Sequence, residues 1–156
     1  FDSVIKLLKD SGFPGMRVVQ FGFNPENADN DHLPHSYPKN SVCYTGTHDN
    51  ATIVGWLKDA DSDSAKMAKR YLNKGTFDRF NFCAIRAAYA SPSFLAVIPM
   101  QDVLGLGAKG RMNIPSTLGG NWSWRLLKKQ LKSKDAAALK SLAETYMRYK
   151  PNGGDK

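Results

Sequence analysis

Short runs of apolar residues alternate along this chain with stretches whose apolar positions recur every three or four residues. The runs are rich in β-branched and aromatic residues and therefore predict three strands, at residues 16–23, 41–45 and 94–99. Their nearly continuous apolar character is typical of strands buried on both faces of a parallel sheet. The periodic stretches predict helices at residues 1–9, 50–60, 61–73, 77–90 and 135–149.

Residues with strong local preferences stand at several of these boundaries. Gly12 follows the first helix as a C-cap, and Asp61 and Asp135 precede two later helices as N-caps. Residues 103–120 are glycine-rich and predict an irregular segment, after which residues 122–125 are expected to enter a helix.

The order of these elements predicts the α/β fold class with a parallel sheet, since helices separate the strands and no hairpin signal joins them. The chain has 156 residues, so one domain is expected, over residues 1–150, followed by a disordered tail at residues 151–156. Three parallel strands leave exposed edges and an incomplete core. The chain also does not begin with Met, so we expect it to be part of a larger protein.

Composition narrows the class of protein. The two cysteines, Cys43 and Cys83, lie in apolar surroundings and are interpreted as reduced core residues of an intracellular protein. We predict no membrane partner and no secretory signal, because no apolar run is long enough for either. These observations favour a cytoplasmic location, or a plastid location for a plant source.

The net charge of +8 raises the hypothesis of a basic nucleic-acid-binding module. The positive residues are spread along the chain, and no DNA- or RNA-binding motif accompanies them. The densest cluster is therefore interpreted as a solvated helix face rather than a nucleic-acid site. Its members are Arg125, Lys128, Lys129, Lys132 and Lys134.

Two further patterns suggest a cofactor or a metal, and both lack the required context. Residues 105–110 match G-x-G-x-x-G, but they do not directly follow the strand, and Pro115 opposes a helix after them. In the long polar loop of residues 24–40, Pro34 separates His32 from His35 and no third ligand stands nearby. We predict no cofactor and no metal, and interpret this loop as facing a ligand.

Polar side chains follow the second and third predicted strands. His48, Asp49 and Asn50 come after the second strand, and Gln101 and Asp102 come after the third. The carboxyl ends of parallel strands are where α/β enzymes place their chemistry. A second interpretation remains open, because Asp49 or Asn50 could simply cap the helix that follows.

The available side chains favour a carbohydrate ligand, which needs hydrogen-bonding groups for its hydroxyls and aromatic rings for its apolar faces. The hydrogen-bonding candidates are His48, Asp49, Asn50, Gln101, Asp102, Arg111 and Asn113. The aromatic candidates are Tyr37, Tyr44, Trp56, Trp122 and Trp124, although aromatic residues more commonly belong to the core.

Several motifs in a consistent order carry a family resemblance. The most specific is Thr-Gly-Thr-His-Asp-Asn at residues 45–50 with Gly-Trp at residues 55–56. The others lie at residues 12–21, 33–35, 99–107, 110–115 and 120–125. Together they resemble the amylomaltase family, the 4-α-glucanotransferases of glycoside hydrolase family 77.

The resemblance implies a (β/α)8 TIM barrel, of which this chain would be the C-terminal portion, the last three βα units. The corresponding strands would lie at residues 18–23, 42–45 and 95–99. The remainder of the barrel would then be a required partner, and residues 1–150 the C-terminal part of a catalytic domain.

The activity implied is retaining transfer of α-1,4-glucan segments between maltooligosaccharides, with a carboxylate nucleophile and an acid/base. In the family both lie on strands before Phe1, so we expect this chain alone to be inactive. Asp49 would be the catalytic transition-state stabiliser. The other residues implied to bind substrate are His48, Asn50, Gln101, Asp102, Arg111 and Asn113, with His35 and Tyr37 from the long loop.

Two positions depart from the family pattern. Ser36 stands where the family commonly has Asn, and an acidic residue usual near Lys109 is missing. A non-catalytic α-glucan-binding fragment and, more remotely, the nucleic-acid-binding module are the alternative functions.

Overall fold

Three parallel strands form a single sheet in this computed structural model, which describes residues 2–27 and 29–149. The strands are β1 (Gly15–Val18), β2 (Ser41–Tyr44) and β3 (Leu95–Val97), and they lie in the order β1-β2-β3. Both neighbouring pairs are parallel. The predicted α/β class with parallel strands is therefore confirmed.

Helical segments precede the first strand, connect the strands and follow the last of them. The α-helices are α1 (Asp2–Ser11), α2 (Ile53–Asp59), α3 (Ser62–Tyr71), α4 (Phe80–Ala90), α5 (Met100–Val103) and α6 (Ser133–Thr145). Short 3-10 turns lie at Val19–Phe21, Pro34–Ser36 and Ala108–Gly110. Phe1 of the first predicted helix and the predicted tail at residues 151–156 lie outside the described residues.

The first strand is shorter than the sequence predicts, ending at Val18 rather than at residue 23. The chain turns there, because the backbone N–H of Gly22 donates to the Val19 carbonyl and that of Gln20 reaches the Thr45 carbonyl. A side chain at Gly22 would collide with the His32 backbone, so a glycine permits the close return of the following loop.

The helix after β2 begins later than predicted and has a different cap. Thr52 is the N-cap of α2, and its Oγ1 accepts a hydrogen bond from the Gly55 backbone N–H at 3.1 Å. Neither Asp49 nor Asn50 caps this helix, which removes the capping interpretation of these two side chains. Asp61 caps α3 as predicted, accepting from the backbone N–H groups of the next turn.

Two predictions about the C-terminal half are wrong. The segment expected to enter a helix at residues 122–125 is irregular, since Trp122 has a left-handed φ of 59°, which a right-handed helix cannot contain. Asp135 is not an N-cap either. It lies inside the first turn of α6, where its carboxylate accepts two hydrogen bonds from the Arg79 guanidinium, at 3.0 and 3.1 Å.

The hydrophobic core lies between one face of the sheet and the helices α2, α3 and α4. Cys43 of β2 and Cys83 of α4 are buried within it as free thiols, as the sequence predicts for core residues. Burial raises the pKa of the Cys83 thiol above its ordinary value. The remaining fully buried apolar members include Val19, Ile53, Ala68, Ala84 and Ala88.

Large apolar surfaces stay exposed on two sides of this core. The third strand is predicted to be buried, but Leu95 is 45% exposed and Val97 is 39% exposed, because both point to the face of the sheet opposite the one that carries the core residues Cys43 and Ala96. Helix α1 buries none of its residues, and its Val4, Ile5 and Leu7 all point into solvent. Among the described residues, no helix combines the length and apolar character needed to span a membrane.

Candidate active site

The loops that follow β2 and β3 are joined by direct hydrogen bonds at the carboxyl end of the sheet. Asn113 Nδ2 donates to Asp49 Oδ1 at 2.6 Å, and the Asn113 backbone N–H donates to the His48 carbonyl at 3.1 Å. Arg111 Nη2 donates to the Asp49 carbonyl at 2.8 Å. The loop after β3 therefore fixes both the backbone and the carboxylate of Asp49.

The second oxygen of the Asp49 carboxylate faces an imidazole and solvent. Asp49 Oδ2 lies 3.4 Å from His48 Nε2, and both side chains are about half exposed, at 47% and 53%. A carboxylate with one oxygen fixed and one accessible can accept hydrogen bonds from a ligand or stabilise positive charge beside it.

A cavity of about 140 Å³ opens between these two loops. Its lining includes Thr47, His48, Asn50, Gln101, Arg111 and Trp122. The Asn50 side-chain oxygen accepts from the backbone N–H and the hydroxyl of Thr47, both at 2.8 Å, which closes a tight turn around Asp49. The structure thus brings together seven of the nine predicted site residues, and in one of the seven, Asp102, both carboxylate oxygens already accept hydrogen bonds from within the chain.

Asp102, which the resemblance implies to bind substrate, lines the cavity but holds its carboxylate inside the protein. It is only 1% exposed, and its two oxygens accept hydrogen bonds from Thr45 Oγ1 at 2.5 Å and the Ile53 backbone N–H at 2.7 Å. Burial raises the pKa of Asp102 above its ordinary value, although both hydrogen bonds act to lower it. Asp102 connects the end of β2, the start of α2 and the loop after β3.

His35 and Tyr37, which the resemblance implies to bind substrate, do not line this cavity. Tyr37 is 3% exposed, its hydroxyl donates to the His32 carbonyl at 2.8 Å, and burial raises its pKa. His35 Nδ1 lies 2.9 Å from the Tyr71 hydroxyl, beside a separate pocket. Their loop leads back to Ser41, the first residue of β2, and thus away from the carboxyl end of the sheet towards its amino end.

Gln20, which lies within the motif at residues 12–21, is a supporting residue whose role the sequence does not predict. Its buried amide Nε2 donates to the carbonyls of Thr45 and Ala51, both at 3.2 Å, and so joins the two ends of the loop that carries Asp49. Gly46 packs directly against this amide, and a Cβ at that position would collide with Gln20 Nε2. The available sequence signal was a polar residue inside an otherwise apolar run.

We predict that Gly46→Ala displaces Gln20 and loosens the Asp49 loop, lowering the free energy of unfolding by about 1–3 kcal/mol. Gly107→Ala is the matched control, because an added Cβ there meets no atom within 4 Å. Urea denaturation compares the two variants. Equal midpoints for them would contradict the role assigned to the contact between Gly46 and Gln20.

No group of three or more His, Cys, Asp or Glu residues within the described ranges has the geometry to hold a metal ion. The cavity instead offers an imidazole, a guanidinium, amides and an aromatic ring, and the Asp49 carboxylate lies beside it, 3.4 Å from the His48 imidazole. At the carboxyl ends of parallel strands, such a set is typical of α/β-barrel enzymes that act on carbohydrates.

The comparisons with known proteins agree with this class. The chain belongs to the 4-alpha-glucanotransferase family, glycoside hydrolase family 77, whose sequence profile matches residues 1–131. It is 44% identical to the 4-alpha-glucanotransferase of Streptococcus pneumoniae over 152 residues, which cover 97% of this chain and 30% of the relative. It is 48% identical to the chloroplastic/amyloplastic enzyme of Arabidopsis thaliana over 123 residues, covering 79% of this chain and 21% of the relative.

A solved structure agrees with both the family and the fold. The amylomaltase of Streptococcus agalactiae, solved in complex with acarbose, superimposes with a TM-score of 0.91 at 35% identity. The match covers 94% of this chain and 30% of that protein, so the chain spans about a third or less of the relatives described. The resemblance to amylomaltases and the expected α/β-barrel portion are thereby confirmed.

Proposed function

We propose that the protein to which this chain belongs is a 4-α-glucanotransferase that moves α-1,4-glucan segments between maltooligosaccharides. In this proposal, residues 1–150 form the C-terminal part of its catalytic barrel and contribute Asp49. The observation that supports it most is the position of Asp49, held by Asn113 at the carboxyl end of a parallel strand in a member of this family.

Asp49 would act where positive charge develops. In a retaining transfer, a carboxylate nucleophile attacks the anomeric carbon while a carboxylic acid protonates the leaving oxygen. The hydroxyl of a second glucan then attacks that carbon, gives its proton to the same acid/base, and releases the nucleophile. Asp49 would stabilise the oxocarbenium-like transition state of both steps. His48, Asn50, Gln101, Arg111 and Asn113 would bind or orient the same sugar.

The substrate class has support from the cavity and from a relative. The cavity combines hydrogen-bonding side chains with the Trp122 ring, and the structure of the Streptococcus agalactiae amylomaltase is a complex with acarbose. We propose a cytoplasmic location, or a plastid location like that in the name of the chloroplastic/amyloplastic Arabidopsis relative.

The remainder of a barrel is the partner that the exposed surfaces favour. Leu95 and Val97 lie on the uncovered face of β3 and Phe94 directly precedes the strand, all more than a third exposed, and the apolar face of α1 is equally uncovered. Burying such surfaces releases about 25 cal/mol for each Å² of apolar area. Neighbouring strands and helices of a closed barrel would cover both.

The test of this function is a chimera in which this chain replaces the matching segment of the Streptococcus pneumoniae relative. We expect the chimera to convert maltotriose into glucose and longer maltooligosaccharides, as the unmodified relative does in parallel. A folded chimera that cannot transfer glucan would contradict the proposal.

We also predict that the isolated 156-residue chain has no measurable transfer activity, because the family's nucleophile and acid/base belong to other strands. The same maltotriose assay checks this, with the chimera as positive control. Robust conversion by the isolated chain would show that the reacting carboxylates lie within it.

A further inference from the structure

Trp122 has a backbone conformation that a bulky residue rarely adopts. Its φ of 59° lies in the left-handed region, which costs energy for any residue with a Cβ and favours Gly or Asn. Strained conformations of this kind persist where surrounding contacts enforce them, and they cluster at functional sites.

Two hydrogen bonds hold the Trp122 backbone, and the side chain of its neighbour holds the loop around it. Its N–H donates to the Met112 carbonyl at 2.7 Å, and its carbonyl accepts from Arg125 Nη1 at 2.8 Å. The preceding Asn121 fastens the loop, since its side chain accepts from the Ile114 N–H at 2.9 Å and donates to Thr117 Oγ1 at 3.1 Å. The strain at Trp122 is therefore imposed by its own loop.

The result of this strain is an indole presented beside the predicted catalytic groups. The Trp122 ring lies 4.9 Å from the His48 ring, between centroids, with an interplanar angle of 38°. It lines the same cavity as His48 and Arg111, yet 53% of the residue remains exposed. Trp122 does not belong to the hydrophobic core of the described residues, and its ring packs instead against the His48 imidazole of the cavity.

An exposed ring beside a polar cavity offers one apolar face next to hydrogen-bonding groups. The face of a pyranose ring is apolar and its rim carries hydroxyls. A sugar can therefore stack its apolar face on the indole while its hydroxyls form hydrogen bonds with polar side chains. We propose that Trp122 is a substrate-positioning residue, whose indole stacks on the glucose unit adjoining the one held by Asp49. This inference rests on the proposed glucanotransferase function and assigns one subsite within it.

Stacking of this kind acts equally on the bound substrate and on the transition state. Uniform binding changes KM and leaves kcat nearly constant, whereas loss of a transition-state contact lowers kcat. Loss of the Trp122 ring should therefore raise KM, whereas loss of the Asp49 charge should lower kcat. A merely structural role for Trp122 would not produce a change confined to KM.

The experiment compares Trp122→Asn with Trp122→Phe in the chimera, using maltoheptaose as substrate. Asn tolerates the left-handed backbone but removes the ring, and Phe keeps an aromatic face. We expect Trp122→Asn to raise KM about tenfold with kcat changed less than about threefold, and Phe to restore most of the affinity. Leu118→Ala, at a fully exposed position of the same loop, should match the unmodified chimera.

A second readout reports contact with the sugar directly. The indole N–H signal of Trp122 is identified in the NMR spectrum as the one that is missing from Trp122→Phe. This signal should shift when maltoheptaose is added. An unmoved signal, or an unchanged KM in Trp122→Asn, in a chimera that transfers glucan would overturn the inference while the proposed function stands. A folded chimera that neither binds nor transfers glucan would overturn both.

Discussion

Asp49→Asn in the chimera is expected to lower kcat for maltotriose transfer by at least about two orders of magnitude. Asn preserves the shape of the side chain and the oxygen that accepts from Asn113 Nδ2. It removes the negative charge where the oxocarbenium-like transition state develops positive charge. The loss should therefore appear in kcat, with KM changed much less.

Asp59→Asn is the matched control for this substitution. Asp59 ends α2 and is exposed, away from the residues that line the cavity. Asp59→Asn removes the same charge as Asp49→Asn but far from the cavity, so we expect its turnover to lie within about twofold of that of the unmodified chimera. Normal turnover in Asp49→Asn, with an intact circular dichroism spectrum, would contradict the role of Asp49 as transition-state stabiliser.

Asp102→Ala should cause the largest loss of stability, about 2–3 kcal/mol in the free energy of unfolding. The truncation leaves the Ile53 N–H and the Thr45 hydroxyl, both buried, without the carboxylate that accepts their hydrogen bonds. It also disconnects the loops that position Asp49. Urea denaturation of the chimera measures the loss, and a midpoint shift no larger than that of Gly107→Ala would contradict the connecting role.

Asp102→Asn separates the hydrogen bonds from the charge. Its oxygen can accept from the Ile53 N–H and its NH₂ group can donate to Thr45 Oγ1, so we expect a smaller loss, about 1 kcal/mol or less. Burial raises the pKa of Asp102 above 3.8, so the folded protein binds more protons than the unfolded chain between 3.8 and the raised pKa. The stability of the Asp protein relative to the Asn variant should therefore increase as pH falls through this window.

The sequence predicts the types and order of the main elements because their apolar patterns have distinct periods. It does not predict where β1 stops, since the break at Val18 depends on hydrogen bonds to Thr45, about 25 residues later. The sequence also predicts a helix at residues 122–125, and this prediction is wrong. Backbone and side-chain contacts enforce a left-handed φ at Trp122, and they override the helix propensity of the segment.

In the candidate site as well, local motifs predict some of the residues, whereas the roles of others depend on packing between distant segments. His48 and Asp49 follow from one local motif, and Arg111 and Asn113 from another, so both motifs can be recognised before their contact is known. The burial of Asp102 could not be read from its place after β3, because its partners Thr45 and Ile53 belong to another segment. Gln20 was missed for the same reason.

A crystal structure of the chimera bound to a maltooligosaccharide tests the role of this segment most directly. We predict that the free oxygen of Asp49 lies within about 3 Å of a hydroxyl of one glucose unit, the usual hydrogen-bond distance, and that His48 contacts the same ring. A glucan bound across the barrel but touching neither Asp49 nor His48 would contradict the account.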